Sequence, residues 1–174
     1  MTTKDATLPN DMPRDLPRDL SGDLPEDLID SLLGIAPDSA IGQLRRRRPE
    51  ALRHAEGAFR ELLLPSDPGG LSLPERAALA MRVAEREGDA ALAARYRGML
   101  ASSTPAGPRL DALLAYADKV ALTPEATSRG DIDALAALGL SSRDIVAATQ
   151  LIAFVPYQVR VIAALRALLQ ETAP

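Results

Sequence analysis

Side chains able to do acid–base, nucleophilic or metal chemistry are few in this sequence, and their types narrow the choice. There is no cysteine, which removes disulfides, thiolate metal sites, iron–sulfur clusters and a cysteine nucleophile. The single histidine, His54, leaves no second imidazole for a multi-histidine metal site and argues against a serine–histidine triad. His54 falls between Leu52 and Phe59 on a helical pattern and could serve as a general base, because an unperturbed imidazole titrates near neutrality. Its carboxylate neighbours Glu50 and Glu61 are ordinary helix neighbours, so an exposed helix position is the simpler reading. Glu75, Glu85, Glu87 and Asp89 could divide acid and base roles between them. They alternate with Arg76, Arg82, Arg86 and Arg95 at helical spacings, a mixture that predicts i,i+4 surface pairs.

Arg45 to Arg48 form the most conspicuous cationic run. Four consecutive helical residues point in four directions, and no aromatic residue nearby would stack a base. The run therefore predicts a solvated face or intersubunit salt bridges in preference to an anion site. Gly69-Gly70 lacks the Lys-Ser/Thr of a phosphate loop and follows no strand. Tyr116 and Tyr157 read as core or interface residues with a polar tip.

The elements that must position these residues follow from composition. The chain has 174 residues, 47% hydrophobic and 25% charged, with a net charge of −4. That suffices for one domain plus a short arm and gives no general attraction to nucleic acid or to an anionic membrane. No run of about 18 apolar residues is present, so no membrane span is expected. Met1 to Pro25 has no apolar signal region, and a cytoplasmic location is expected. Ala and Leu dominate the apolar content while aromatic residues make up 3%, which favours helices over strands. The expected fold class is all-α, with about eight or nine helices and no sheet.

Residues 1–22 read as a flexible arm rich in Pro, Asp and Leu, ahead of a helical domain over 23–174. Asp11 to Leu28 nearly repeats a Pro–charged–Asp–Leu unit whose proline density forbids a continuous helix. Leu16, Leu20 and Leu24 could dock on a partner subunit, although the composition favours a disordered tail. Helices are expected from Pro25 to Gly34, from Asp38 to Arg47 and from Pro49 through Leu63. A loop over 65–70 precedes the Ser72–Glu75 capping box. The helix opened by that box ends at Gly88-Asp89, and another runs to about Leu100. After a loop over 101–108, Leu110 to Ala121 mark a four-turn helix. Ser128–Asp131 and Ser141–Asp144 start two more, the second facing inward through Ile145, Ala148, Thr149 and Ile152. Pro156 is expected to break or kink the chain before a last helix carrying Val159, Ile162, Ala163, Arg166 and Leu169.

Two stretches together resemble one known family. Gly69-Gly-Leu-Ser-Leu-Pro-Glu-Arg-Ala-Ala-Leu-Ala-Met-Arg-Val-Ala-Glu-Arg-Glu-Gly88 resembles the opening turn and central helix of the AhpD-like, or carboxymuconolactone decarboxylase-like, family. Leu114-Ala-Tyr-Ala-Asp-Lys-Val-Ala-Leu-Thr-Pro, followed by Asp131-Ile-Asp-Ala-Leu-Ala-Ala-Leu-Gly-Leu-Ser, is similar to its downstream helices. Phe154-Val-Pro-Tyr-Gln-Val-Arg160 stands where peroxidase-related members carry an aromatic-rich segment closed by arginine. The resemblance covers about Pro25 to Leu169 and implies a multi-helix bundle that self-associates.

Active peroxidases of the family use two cysteines separated by two residues, a histidine four positions later and a glutamate one helix upstream. Aligned on Gly88, those positions fall at Asp89, Leu92, Tyr96 and Ala77. None carries the required side chain, so the thiolate attack and thiol resolution of that reaction have no residues to perform them. The resemblance implies a member that has lost thiol chemistry and has a binding or structural role in a homo-oligomer, without metal or cofactor. A small-molecule ligand is compatible with that role.

An alternative is a cysteine-free decarboxylase or isomerase acting on a small carboxylated metabolite. Asp89 and Tyr96, seven apart on one helix face, would be its acid–base pair, with His54 a further candidate. That alternative requires a closed pocket holding both side chains; Asp89 as a simple exposed cap would remove it. A third reading is a helical adaptor using Arg45 to Arg48 and the acidic arm.

Overall fold

A computed structural model describes residues 27–100 and 106–171 of the chain. The arm expected over 1–22 and most of the loop expected over 101–108 lie outside the described residues. Those residues form eight α-helices and one 3-10 turn, with no strand among them. The helices are α1 (Leu28–Leu33), α2 (Ala40–Arg46), α3 (Pro49–Leu63), α4 (Leu73–Arg86), α5 (Ala90–Arg97), α6 (Pro108–Leu122), α7 (Arg129–Ala137) and α8 (Ser142–Glu171).

Most boundaries are set by caps that can be read in the sequence. Ser72 and Glu75 form a reciprocal capping box at α4, and Pro49 and Pro108 sit in the first turns of α3 and α6. Proline fits there because its missing N–H has no helical partner to lose. The Asp131 carboxylate accepts the Ser128 N–H and Oγ–H ahead of α7. Asp144 accepts the same two donors from Ser141 at 2.9 and 2.6 Å. At the N-terminal end the cap is Asp27, whose side chain accepts from Ile29 and Asp30. Helix α1 therefore begins after Pro25, not at it, and Gly34 ends it.

Pro156 breaks nothing: α8 is one helix of 30 residues that runs through it. The expectation of a break weighed one lost backbone bond and ignored packing. Pro156 itself is buried, and so are Ile152, Val155, Ile162 and Leu165 around it. Each aliphatic side chain buried so thoroughly contributes about 1.5–3 kcal/mol, enough together to keep the turn containing proline helical. Helix α8 is long and apolar enough to cross a membrane, with a mean hydropathy of 1.5 over an 18-residue window. Here it is the core helix, packed on α1, α3, α4, α6 and α7.

The second axis of the bundle is α4, which packs on α5, α6 and α8. Its Leu79, Ala80, Val83 and Ala84 are fully enclosed; the small alanines allow neighbouring backbones to approach closely. Gly88, at φ +81°, makes the left-handed turn that sends α5 back along α4, a conformation that glycine adopts without a Cβ clash.

Candidate functional site

The turn at Gly88 delivers Asp89 to the N-cap of α5. Its Oδ1 accepts the Leu92 N–H at 2.9 Å, so the cap is real, yet the residue is only 4% exposed. Burial alone would raise the carboxyl. The guanidinium of Arg166 on α8, at 2.8 and 3.3 Å, together with the backbone N–H bonds of Leu92 and Ala91, more than offsets that and holds Asp89 below the ordinary carboxylate range. Asp89 is therefore a buried, ionised cap clamped to α8, not an exposed one.

Two turns along α5, Tyr96 is 0% exposed and donates its hydroxyl proton to the side-chain oxygen of Gln158 on α8. Burial pushes the phenol well above its usual value, and the bond to Gln158 only partly counters this. Both candidates thus face α8, as their spacing of seven implies. Their partners Arg166 and Gln158 are eight residues apart, however, or about 12 Å along a helix rising 1.5 Å per residue. The two polar groups serve separate points on α8 and do not converge on one reacting atom.

The other two positions aligned with the family's site, Leu92 and Ala77, are apolar. Leu92 is fully enclosed in the main core, and Ala77 belongs to a smaller cluster with Ala78, Leu100 and Leu110. His54 lies on the outer face of α3, its side chain 79% exposed and 3.9 Å from Glu50. The structure does not bring it to Asp89 or Tyr96, which are buried.

The charged residues that the sequence assigned to surface pairs are used between elements. Arg82 and Arg86 of α4 both clamp Asp118 of α6, at 2.7 and 2.6 Å, and their hydrogen bonds hold Asp118 far below the ordinary carboxylate range. Arg109 donates to Glu75, to Leu138 O and to Gly70 O. Arg97 pairs with Glu85 across the α4–α5 turn. The expectation of i,i+4 pairs along α4 is corrected accordingly. Spacing within one helix reports neighbours on that helix and nothing of what lies opposite. Within the arginine run only Arg45 is corrected in the same way: it is nearly buried and pairs with Asp27 and Asp30, tying α2 to α1, whereas Arg47 and Arg48 are exposed.

A further cluster escaped the sequence reading. Arg76, 4% exposed, donates to the carbonyls of Leu71, Leu62 and Pro68 at 2.8–2.9 Å. It thereby pins the loop between α3 and α4. Burial pushes its guanidinium down, countered in part by the charge of Asp144. Asp144 in turn accepts the Gly70 N–H at 2.8 Å. A Cβ at Gly70 would lie 2.6 Å from that carboxylate, which is why the Gly-Gly pair stands there. The usable signal was an arginine inside the apolar face of α4, directly after its capping box.

Two open grooves lie away from Asp89, Tyr96 and His54. One of about 610 Å³ runs between α6 and α7 and is lined by Tyr116, Asp118, Lys119 and Asp131 among others. Lys119 pairs there with Asp131 at 2.8 Å; that contact and the Ser128 bonds bring the Asp131 carboxyl down to about 2. The other, about 530 Å³, lies between the loop after α3 and the start of α8. Neither is lined by Asp89, Tyr96 or His54. No group of histidines and carboxylates suited to a metal ion occurs among the described residues.

No protein-family profile and no curated protein matches the sequence significantly. Solved structures do. An uncharacterized peroxidase-related protein from Silicibacter sp. TM1040 is 18% identical over 66% of this chain and 68% of its own, with a TM-score of 0.52. A second, described as an alkylhydroperoxidase AhpD core and uncharacterized peroxidase-related protein, comes from Ralstonia eutropha JMP134. It is 22% identical over 81% of this chain and 84% of its own, with a TM-score of 0.53.

Proposed function

We propose that this chain, which has the AhpD-like fold and no cysteine, is a cytoplasmic protein with a binding or structural role in a homo-oligomer and does not work as a thiol peroxidase. The observation that carries this reading is the state of Asp89 and Tyr96. Their polar atoms are committed to Arg166 and Gln158, and Leu92, on the same helix, is fully enclosed in the apolar core. A general acid or base needs a pKa near the working pH and access to substrate. Here one group is held ionised, the other is held protonated, and neither lines either of the two open grooves.

On this reading the exposed Leu64, Leu73 and Leu122 are residues that contacts between copies would cover. The α6–α7 groove, within the size range of small-molecule sites, is where this reading seats a ligand. The test has two arms. Peroxide reduction with a dithiol donor should not exceed the protein-free rate, and light scattering should give a mass above one chain. Turnover of a small carboxylated substrate that is abolished by both Asp89→Asn and Tyr96→Phe, with folding intact, would replace this reading with the acid–base enzyme.

A further inference from the structure

Residues 1–26 lie outside the described structure, but the place where they join it is fixed. Asp27, Leu28 and Ile29 share a shallow groove with Phe59 of α3 and with Phe154 and Tyr157 of α8. The chain therefore enters the bundle beside the ring of Tyr157, which is 44% exposed and stacked on Phe154 at 5.9 Å.

The sequence leading to that point repeats. Leu16, Leu20, Leu24 and Leu28 follow at four-residue intervals, each preceded by an aspartate, at 15, 19, 23 and 27. The structure describes how the last of these units is used. Asp27 pairs with Arg45 at 3.3 Å, and Leu28 is buried in the main core. An aspartate on an arginine beside a leucine on apolar surface is thus a contact this unit makes, and three more copies lie upstream.

The outward face of α8 offers both halves of that contact. Ala153, Tyr157, Val161 and Ala164 follow at helical spacing, and all but the half-buried Val161 are exposed. Arg160 beside them has a side chain 70% exposed, with Glu87 only at 3.9 Å.

We propose that the chain's own segment Leu16–Leu24 folds back onto this face of α8, with its leucines against Tyr157 and Val161 and one of its aspartates on Arg160. Reach permits it. Leu24 is four residues from Leu28 and can lie up to about 14 Å away, and Leu20 up to about 28 Å, at about 3.5 Å per residue. Tyr157 to Ala164 spans about 10 Å of helix. A tether this short gives an effective concentration of about millimolar, so the protein's own segment outcompetes a second copy for the face. Pro13, Pro17 and Pro25 restrict the unbound segment and lower the entropic cost of ordering it. The inference is independent of any catalytic activity and leaves Leu64, Leu73 and Leu122 for contacts between copies.

The chain has three tyrosines and no tryptophan, and Tyr96 and Tyr116 are buried, so acrylamide quenching of tyrosine fluorescence reads Tyr157. In the full chain, Leu20→Ser with Leu24→Ser should raise the quenching constant about twofold by uncovering the ring, with the helical circular dichroism unchanged. Equal quenching in the two proteins would overturn the proposal. The absence of cysteine allows a second test: Leu24→Cys with Val161→Cys under mild oxidation should close a bridge within one chain. A bridge only between chains, or none at all, would equally overturn it.

Discussion

Replacing Asp89 with alanine removes two contacts whose sizes can be worked out separately. The N-cap bond to the Leu92 N–H is worth about 1 kcal/mol. The pair with Arg166 has one buried partner and one whose side chain keeps 39% of its surface in solvent; that screening limits it to about 1 kcal/mol. Asp89→Ala should therefore cost about 2 kcal/mol, whereas Asp89→Asn, which keeps a cap acceptor, should cost about half of that. Arg166→Met should also cost about 2 kcal/mol, because it leaves a carboxylate enclosed without its cation. The double variant should show a coupling of about 1 kcal/mol. Urea unfolding followed by helical circular dichroism measures all four. At a slope of about 2 kcal/mol per molar, the Asp89→Ala midpoint falls by about 1 M. The sign with pH is also fixed. Asp89 has a folded pKa below its unfolded value, so its contribution is complete above the unfolded value and fades as pH falls through the folded one. The gap between wild type and Asp89→Ala should narrow below about pH 4. A cost under about 0.5 kcal/mol without coupling to Arg166 would refute the reasoning.

Other expected outcomes follow from the loop after α3 and from the α6–α7 groove. Gly70→Ala forces a Cβ against Asp144 and should lower stability by about 2 kcal/mol in the same assay. Arg76→Met strands three backbone carbonyls and should cost about 3 kcal/mol, with Arg76→Lys restoring only part because one ammonium cannot span the same three acceptors. Lys119→Ala should raise the Asp131 carboxyl from about 2 toward the ordinary aspartate value, read by carboxyl carbon NMR.

Helix starts were legible where a cap is local. Ser72–Glu75, Ser128–Asp131 and Ser141–Asp144 each announce a helix within four residues, and each does so in the structure. Pro156 was misread because its effect depends on how strongly the flanking turns are buried, which periodicity alone does not measure. At the candidate site the same division holds. The N-cap role of Asp89 and the shared face of Asp89 and Tyr96 are local and could be read. Arg166 and Gln158 lie 77 and 62 residues downstream of them, and no local pattern pairs them. Their visible mark was modest: two polar residues eight apart within an apolar helix. Arg82 and Arg86 meeting on Asp118 were hidden for the same reason.

The most direct test of the central claim is the titration of the Asp89 carboxyl carbon by NMR, assigned by comparison with Asp89→Asn. A structural clamp predicts that Asp89 stays ionised at every pH above about 3.9 and that Arg166→Met moves its titration upward. A wild-type titration between about pH 5 and 8, where a general acid or base operates, would contradict the account.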